Sequence, residues 1–242
     1  MRNFISAIQF ITILPVGRTG TFNPPNMIPY FPMVGLALGG LTAAFDMVLV
    51  NLWSKSVASL LDVIFLALLT GAFHIDGLGD TADGLLGQRS KEKTLDIMKD
   101  SRLGTMGLVA IVFGLSIKWA GIAGLDAYRS VWLIIVPAYA RCGMLFGMRL
   151  LDYGRPTGGT GLEFFREKLG ISAFWGLFVM VACSLLLGWQ ALWLNLGFGV
   201  ITAVIIWYYK KRIGCITGDM LGAMTEITEA GLFLLASIGG TI

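Results

Sequence analysis

The chain of 242 residues is 56% hydrophobic and only 14% charged, with a mean hydropathy of +0.77 and a formal net charge of +3. Soluble domains usually carry about 25% charged residues, and a chain this apolar could not hide its surface from water. Composition therefore excludes a soluble globular domain, gives no sign of a nucleic-acid partner, and argues for an all-α, polytopic membrane helix bundle in which residues 1–242 form one integral-membrane domain.

Residues 1–15 are too short to span a bilayer, which needs about 20 apolar residues. Phe4, Ile5, Ile8, Ile11 and Leu14 follow a helical stripe, so an interfacial helix is expected. No small-residue cleavage site follows it, so no cleavable signal peptide is expected. Residues 16–30, with Gly17, Arg18, Gly20, Pro24, Pro25 and Pro29, read as a loop. Hydropathy then predicts about seven spans, near 31–52, 57–75, 104–124, 130–150, 171–188, 190–209 and 220–238.

With the N-terminus in the cytoplasm, fourteen of the eighteen Lys and Arg residues fall on the cytoplasmic side. Only Lys55 and Arg129 fall outside, and Lys118 and Arg141 lie within spans. This is the expected positive-inside asymmetry. It places three polar segments, 74–102, 152–170 and 210–219, on the cytoplasmic face. The three cysteines (Cys142, Cys183, Cys215) form no CxxC and no ligand spacing, so neither a disulfide framework nor a zinc site is expected.

The segment His74–Arg102 holds the only histidine and six of the fifteen acidic residues. Asp76, Asp80 and Asp83 are spaced i, i+4, i+7, which puts them on one helical face, the latter two within about 40° of Asp76. Three carboxylates on one face repel each other unless a cation compensates. Mg²⁺ is usually held by one or two carboxylates plus substrate phosphates. The expected chemistry is a Mg²⁺ site for a phosphorylated substrate, with Asp76, Asp80, Asp83 and Asp100 as metal ligands. The competing reading is a solvated polar helix face.

Asp96 and Asp100, another i, i+4 pair, suggest a second helix across a Leu85–Ser90 turn. Arg102 is a candidate phosphate clamp. His74, ending a span, is a candidate general base, ligand or orienting donor. In the last span Asp219 is a catalytic candidate. Glu226 is a substrate-binding candidate and Glu229 lies near it, for ionisable groups within a membrane segment are functional by default. Arg141, mid-span, either pairs with a glutamate or holds phosphate. GRPTGGTG (154–161) sets Arg155 among glycines, a loop able to cradle phosphate that matches neither nucleotide-binding fingerprint. Asp46 and Asp62 read as structural or pore-lining.

HIDGLGDTADGL with TLDIMKDSRLGTMG, followed by ARCGM, GRPTGGTGLEFF and GCITGDMLGAMTEITE, resembles the ordered motifs of the cobalamin synthase family (adenosylcobinamide-GDP ribazoletransferases) over most of the chain. The resemblance implies a Mg²⁺-dependent enzyme of a prokaryotic cytoplasmic (inner) membrane. It would join adenosylcobinamide-GDP to α-ribazole or its 5′-phosphate and release GMP, with the site on the cytoplasmic face. Membrane lipid, a second copy of the chain and other cobalamin-assembly enzymes are the further partners expected. Asp80-x-x-Asp83-Gly84 also resembles half of the CDP-alcohol phosphotransferase motif, without the Ala-Arg that follows there. A lipid-forming phosphotransferase and an ion-coupled transporter relaying through Glu226, Glu229 and Arg141 are the alternatives.

Overall fold

The computed structural model describes residues 2–17, 23–155 and 161–238. They form eleven α-helices: α1 (Arg2–Ile11), α2 (Pro24–Met27), α3 (Phe31–Leu52), α4 (Lys55–Leu69), α5 (Phe73–Leu85), α6 (Lys91–Ile97), α7 (Thr105–Ala123), α8 (Arg129–Leu150), α9 (Trp175–Ser184), α10 (Gln190–Arg212) and α11 (Gly218–Ala236). Short 3₁₀ turns join several of them. Among the described residues there is no strand, only one isolated parallel bridge between Tyr153 and Ile216.

Each predicted span corresponds to a helix, but among the described residues four segments are long and apolar enough to cross a membrane: Pro24–Leu52, Thr105–Ala123, Arg129–Leu150 and Gln190–Arg212. The number rises to five if α4 and α5 count as one bent span, and Ile171–Leu187 is shorter. The expected loop at 16–30 is helical in its second half. Its prolines sit in first turns, where a missing N–H costs nothing and the fixed φ suits the helix.

The predicted span 57–75 also changes character. Helix α4 stops at Leu69; Gly71 (φ 60) and Ala72 (φ 57) are left-handed, and α5 leaves at 90° to α4. Two consecutive left-handed residues cannot continue a right-handed helix. Ile13 donates its N–H to the Leu69 carbonyl at 3.0 Å, so the chain after α1 closes the end of α4. Helix α5 therefore leaves the span direction and starts at Phe73, with His74 at its beginning. Likewise α6 ends at Ile97, so Asp100 lies beyond the second helix rather than on it.

Helix α8 is the hub, with 83% of its apolar window buried, against 22% for α7 and 28% for α10. It packs most closely on α3. A Cβ at Gly39 would lie 2.3 Å from the Ile134 carbonyl oxygen and 2.5 Å from that of Leu133. Helices of a membrane bundle gain no hydrophobic drive from lipid, so such backbone-close packing carries their association.

At the α3 end of this hub Arg129 reaches Asp46 (2.7 Å), Asp62 (2.9 Å) and the Ile122 carbonyl (2.6 Å), while Lys55 pairs with Asp126 (2.6 Å). The two cations assigned to the outer face thus share one end of α7, and the Asp-rich segment meets the other.

Gly39→Ala is expected to lower the thermal midpoint of the solubilised protein by several degrees. Gly40→Ala, with nothing within 4 Å of its Cβ position, should be neutral or slightly stabilising. Equal losses in the two variants would contradict the α3–α8 contact.

Candidate functional site

Helix α5 (FHIDGLGDTADGL) presents its carboxylates and its apolar residues on opposite sides. At about 100° per residue, Asp76, Asp80 and Asp83 lie on one side and Leu78, Ala82 and Leu85 on the other. Its position is set against α11. A Cβ at Gly77 would sit 2.7 Å from the Asp219 carbonyl oxygen, and one at Gly222 would sit 3.2 Å from the His74 Cα. Only glycine allows the two backbones this close, and the contact carries Asp219 up to the α5 carboxylates.

Asp83 has a partner of its own. Its two oxygens accept the backbone N–H groups of Gly104 (2.7 Å) and Gly107 (2.8 Å), capping α7 from another helix. Gly104, at the N-cap position, has no side chain to do this. Thr105, the first helical residue, stands one position too late to act as the cap, and no local sequence signal marks Asp83 as the partner. Asp100 is held by Arg102 through Nε (2.9 Å) and Nη2 (2.5 Å) and is half-buried, while Arg102 is exposed. This pairing keeps its carboxyl at about 2. Asp76 is exposed and Asp80 half-buried, and among the described residues neither accepts a side-chain hydrogen bond.

The second half of the site comes from two distant stretches. Ile216 donates to the Asp152 carbonyl (3.0 Å) and Gly154 to the Ile216 carbonyl (2.8 Å), which ties the chain after α8 to the chain before α11. Arg155 is thereby held over Asp219, with Nη2 2.7 Å from Oδ2 and 3.2 Å from the Met98 carbonyl oxygen. Its buried Nε has no partner among the described residues. Thr217 caps α11 by accepting the Met220 N–H (3.3 Å). Of the glycine loop expected to cradle phosphate, residues 156–160 lie outside the described residues.

Electrostatics show that these groups act on one another. Burial first, and then the negative charges of Asp76, Asp219 and Asp83, push Asp80 up to about 6, with Arg155 opposing. Burial also raises Asp219, in the first turn of α11. Negative charge here exceeds what one arginine balances. Among the described residues no three His, Cys, Asp or Glu side chains converge closely enough to hold a metal ion alone. Asp76 and Asp80, one turn apart beside an arginine with an unused N–H, fit the other mode: a Mg²⁺ ion held by two carboxylates that completes its shell with water and substrate phosphate.

Three expected site residues point elsewhere. His74 lies about 200° around α5 from Asp76, fully buried, with Nδ1 3.4 Å from Arg141 Nη2. Arg141 pairs with Glu229 and donates to the Pro137 carbonyl (3.1 Å). Lys118 reaches Glu226 and Glu229 at 2.6 Å each. Two cations and two carboxylates balance inside the bundle, and neither Arg141 nor Glu226 opens toward the Asp76–Asp80 face. Arg212, read from the sequence only as part of a basic stretch, donates to the carbonyls of Leu85 (3.2 Å), Gly87 and Arg89 (3.2 Å) and so holds the end of α5.

A sequence model described as cobalamin-5-phosphate synthase matches residues 3–237. The chain is 38% identical to the adenosylcobinamide-GDP ribazoletransferase of Alkaliphilus metalliredigens, over 97% of this chain and 94% of that protein. It is 35% identical to the protein of the same name from Clostridium novyi (98% and 96%), and 32% identical to that of Clostridium acetobutylicum (94% and 92%). No solved structure matches it.

Asp83→Ala should destabilise the protein by about 2 kcal/mol, since it uncaps α7. Asp76→Ala, at an exposed position, should stay within about 0.5 kcal/mol of the parent. Equal denaturation midpoints for the two variants would contradict the capping role of Asp83.

Proposed function

The chain belongs to the cobalamin-5-phosphate synthase family, and from that premise we propose that it joins adenosylcobinamide-GDP to α-ribazole or α-ribazole 5′-phosphate at the Asp76–Asp80–Asp219–Arg155 face, with Mg²⁺ as cofactor. The acceptor hydroxyl attacks the phosphorus bound to cobinamide, a new P–O bond forms, and GMP leaves with the bridging oxygen. The observation that carries this reading is the convergence of carboxylates from α5 and α11 on one partly unsatisfied arginine.

Phosphoryl transfer needs charge neutralisation and alignment more than covalent chemistry. Asp76 and Asp80 would hold the Mg²⁺, which when bound neutralises charge on the diphosphate. The Nη1 of Arg155, which no described residue engages, would bind phosphate oxygens and orient the diphosphate across the face. Asp219 is the group to take the acceptor's proton. Its Oδ2 is engaged by Arg155 and lies 3.4 Å from the Thr217 hydroxyl, and its Oδ1 is left to face substrate. Burial raises its pKa, which makes it a better proton acceptor than an ordinary carboxylate. Asp83 and His74 shape the face by fixing α7 and α5. The asymmetry of basic residues supports a cytoplasmic orientation for it.

Purified Asp80→Asn protein, assayed for Mg²⁺-dependent GMP release, should lose roughly 10²–10³-fold in kcat. Asp96→Asn, on α6, should stay within about twofold of the parent. Retention of full activity by Asp80→Asn sinks the site assignment. Release of CMP from a CDP-alcohol, with no GMP from adenosylcobinamide-GDP, replaces the substrate assignment with the lipid-forming one.

A further inference from the structure

The apolar side of α5 lines a groove that the reaction does not use. Leu78, Ala82 and Leu85 face Gly114 of α7, Val204 of α10 and Leu234 of α11 around a cavity of about 460 Å³. Its mouth lies between helices with exposed apolar residues; Val204 is 55% and Leu234 47% exposed. An apolar space of this size stays empty of water and is poorly tolerated as a void. In a bilayer the material at its mouth is hydrocarbon. Thr81, also lining the groove, is buried and its hydroxyl has no partner.

The polar end of the groove is basic. Tyr208 and Leu85 line it there. Arg212 sits beside them, donating only to backbone carbonyls, and Arg89 donates through Nη1 to the Asp83 carbonyl (3.0 Å). Among the described residues neither arginine is in an ion pair; Arg89 also borders a neighbouring pocket that holds Asp83 and Asp100, so Arg212 is the less compensated of the two. Lys211 lies 5.0 Å over the Trp207 ring, an arrangement suited to a membrane–water boundary.

We propose that this groove binds one anionic phospholipid, its acyl chain along α5 and its phosphate between Arg89 and Arg212. The Thr81 hydroxyl supplies a donor for an ester carbonyl. A zwitterionic headgroup would bring its own cation against two guanidinium groups; an anionic one would not. Because the groove backs the helix that carries Asp76 and Asp80, an occupant supports the site from behind. The proposal rests on the membrane setting and not on the identity of the reaction.

The full-length protein in detergent, titrated with phosphatidylglycerol or phosphatidylcholine of identical chains, would be examined by native mass spectrometry. Wild type should retain one phosphatidylglycerol in preference to phosphatidylcholine. Arg89→Glu, at an exposed position, should reduce that retention roughly tenfold. Val204→Trp, at the lipid-facing mouth, should reduce retention of phosphatidylglycerol by filling the groove, and it carries the test if Arg89→Glu loses helicity by circular dichroism. Equal retention of both lipids by wild type, or unchanged retention in the folded variants, overturns the proposal. So does retention of glycerol phosphate, which has the anion but no chain.

Discussion

Charge in the apolar middle of this bundle has no water to fall back on, so it has to be matched by other charge. Lys118 of α7, Arg141 of α8 and Glu226 and Glu229 of α11 meet that condition two against two, with His74 of α5 against Arg141. Four helices are tied at one point. Removing one member would leave its partner buried and unpaired, which typically costs about 3–5 kcal/mol. The rest of the molecule depends on this knot, because it sets how α5 lies on α11.

The α5–α11 contact is where packing becomes chemistry. Above the knot the two backbones touch through Gly77 and Gly222, and Asp219 reaches the carboxylates of α5. The parallel bridge between Tyr153 and Ile216 then swings Arg155 over the same place. One short helix thus has three duties on three sides: carboxylates toward substrate, His74 toward the knot, and an apolar stripe toward the groove. The sharp turn at Gly71–Ala72 makes this possible by releasing α5 from the direction of α4.

The same knot bears on the transporter alternative. A relay through Glu226, Glu229 and Arg141 requires groups that can change partners as a proton or ion passes. Here each is fully buried or nearly so and already ion-paired to Lys118 or to its neighbour. Among the described residues Arg141 Nε and His74 Nε2 lack partners there, but the carboxylates without a counter-ion, Asp76 and Asp80, are gathered at the end of the bundle beside Arg155. That distribution favours chemistry on a polar substrate over passage through the middle.

Much was legible in the sequence because it depends on local periodicity. Helical spacing placed Asp76, Asp80 and Asp83 on one face, hydropathy located the helices of the bundle, and the ordered motifs pointed to the family. These properties are carried by neighbours in sequence, where the geometry of a helix is known in advance. What each charged group is paired with was not legible. Asp83 belongs to α7 across 21 residues, Arg155 to Asp219 across 64, and Lys118 to Glu226 across 108. Asp100 and Arg102, two residues apart, close on each other instead of joining the carboxylate face. The partner of a buried charge is whichever opposite charge the packed backbones bring within reach, and only the tertiary arrangement of α5, α7, α8 and α11 decides that.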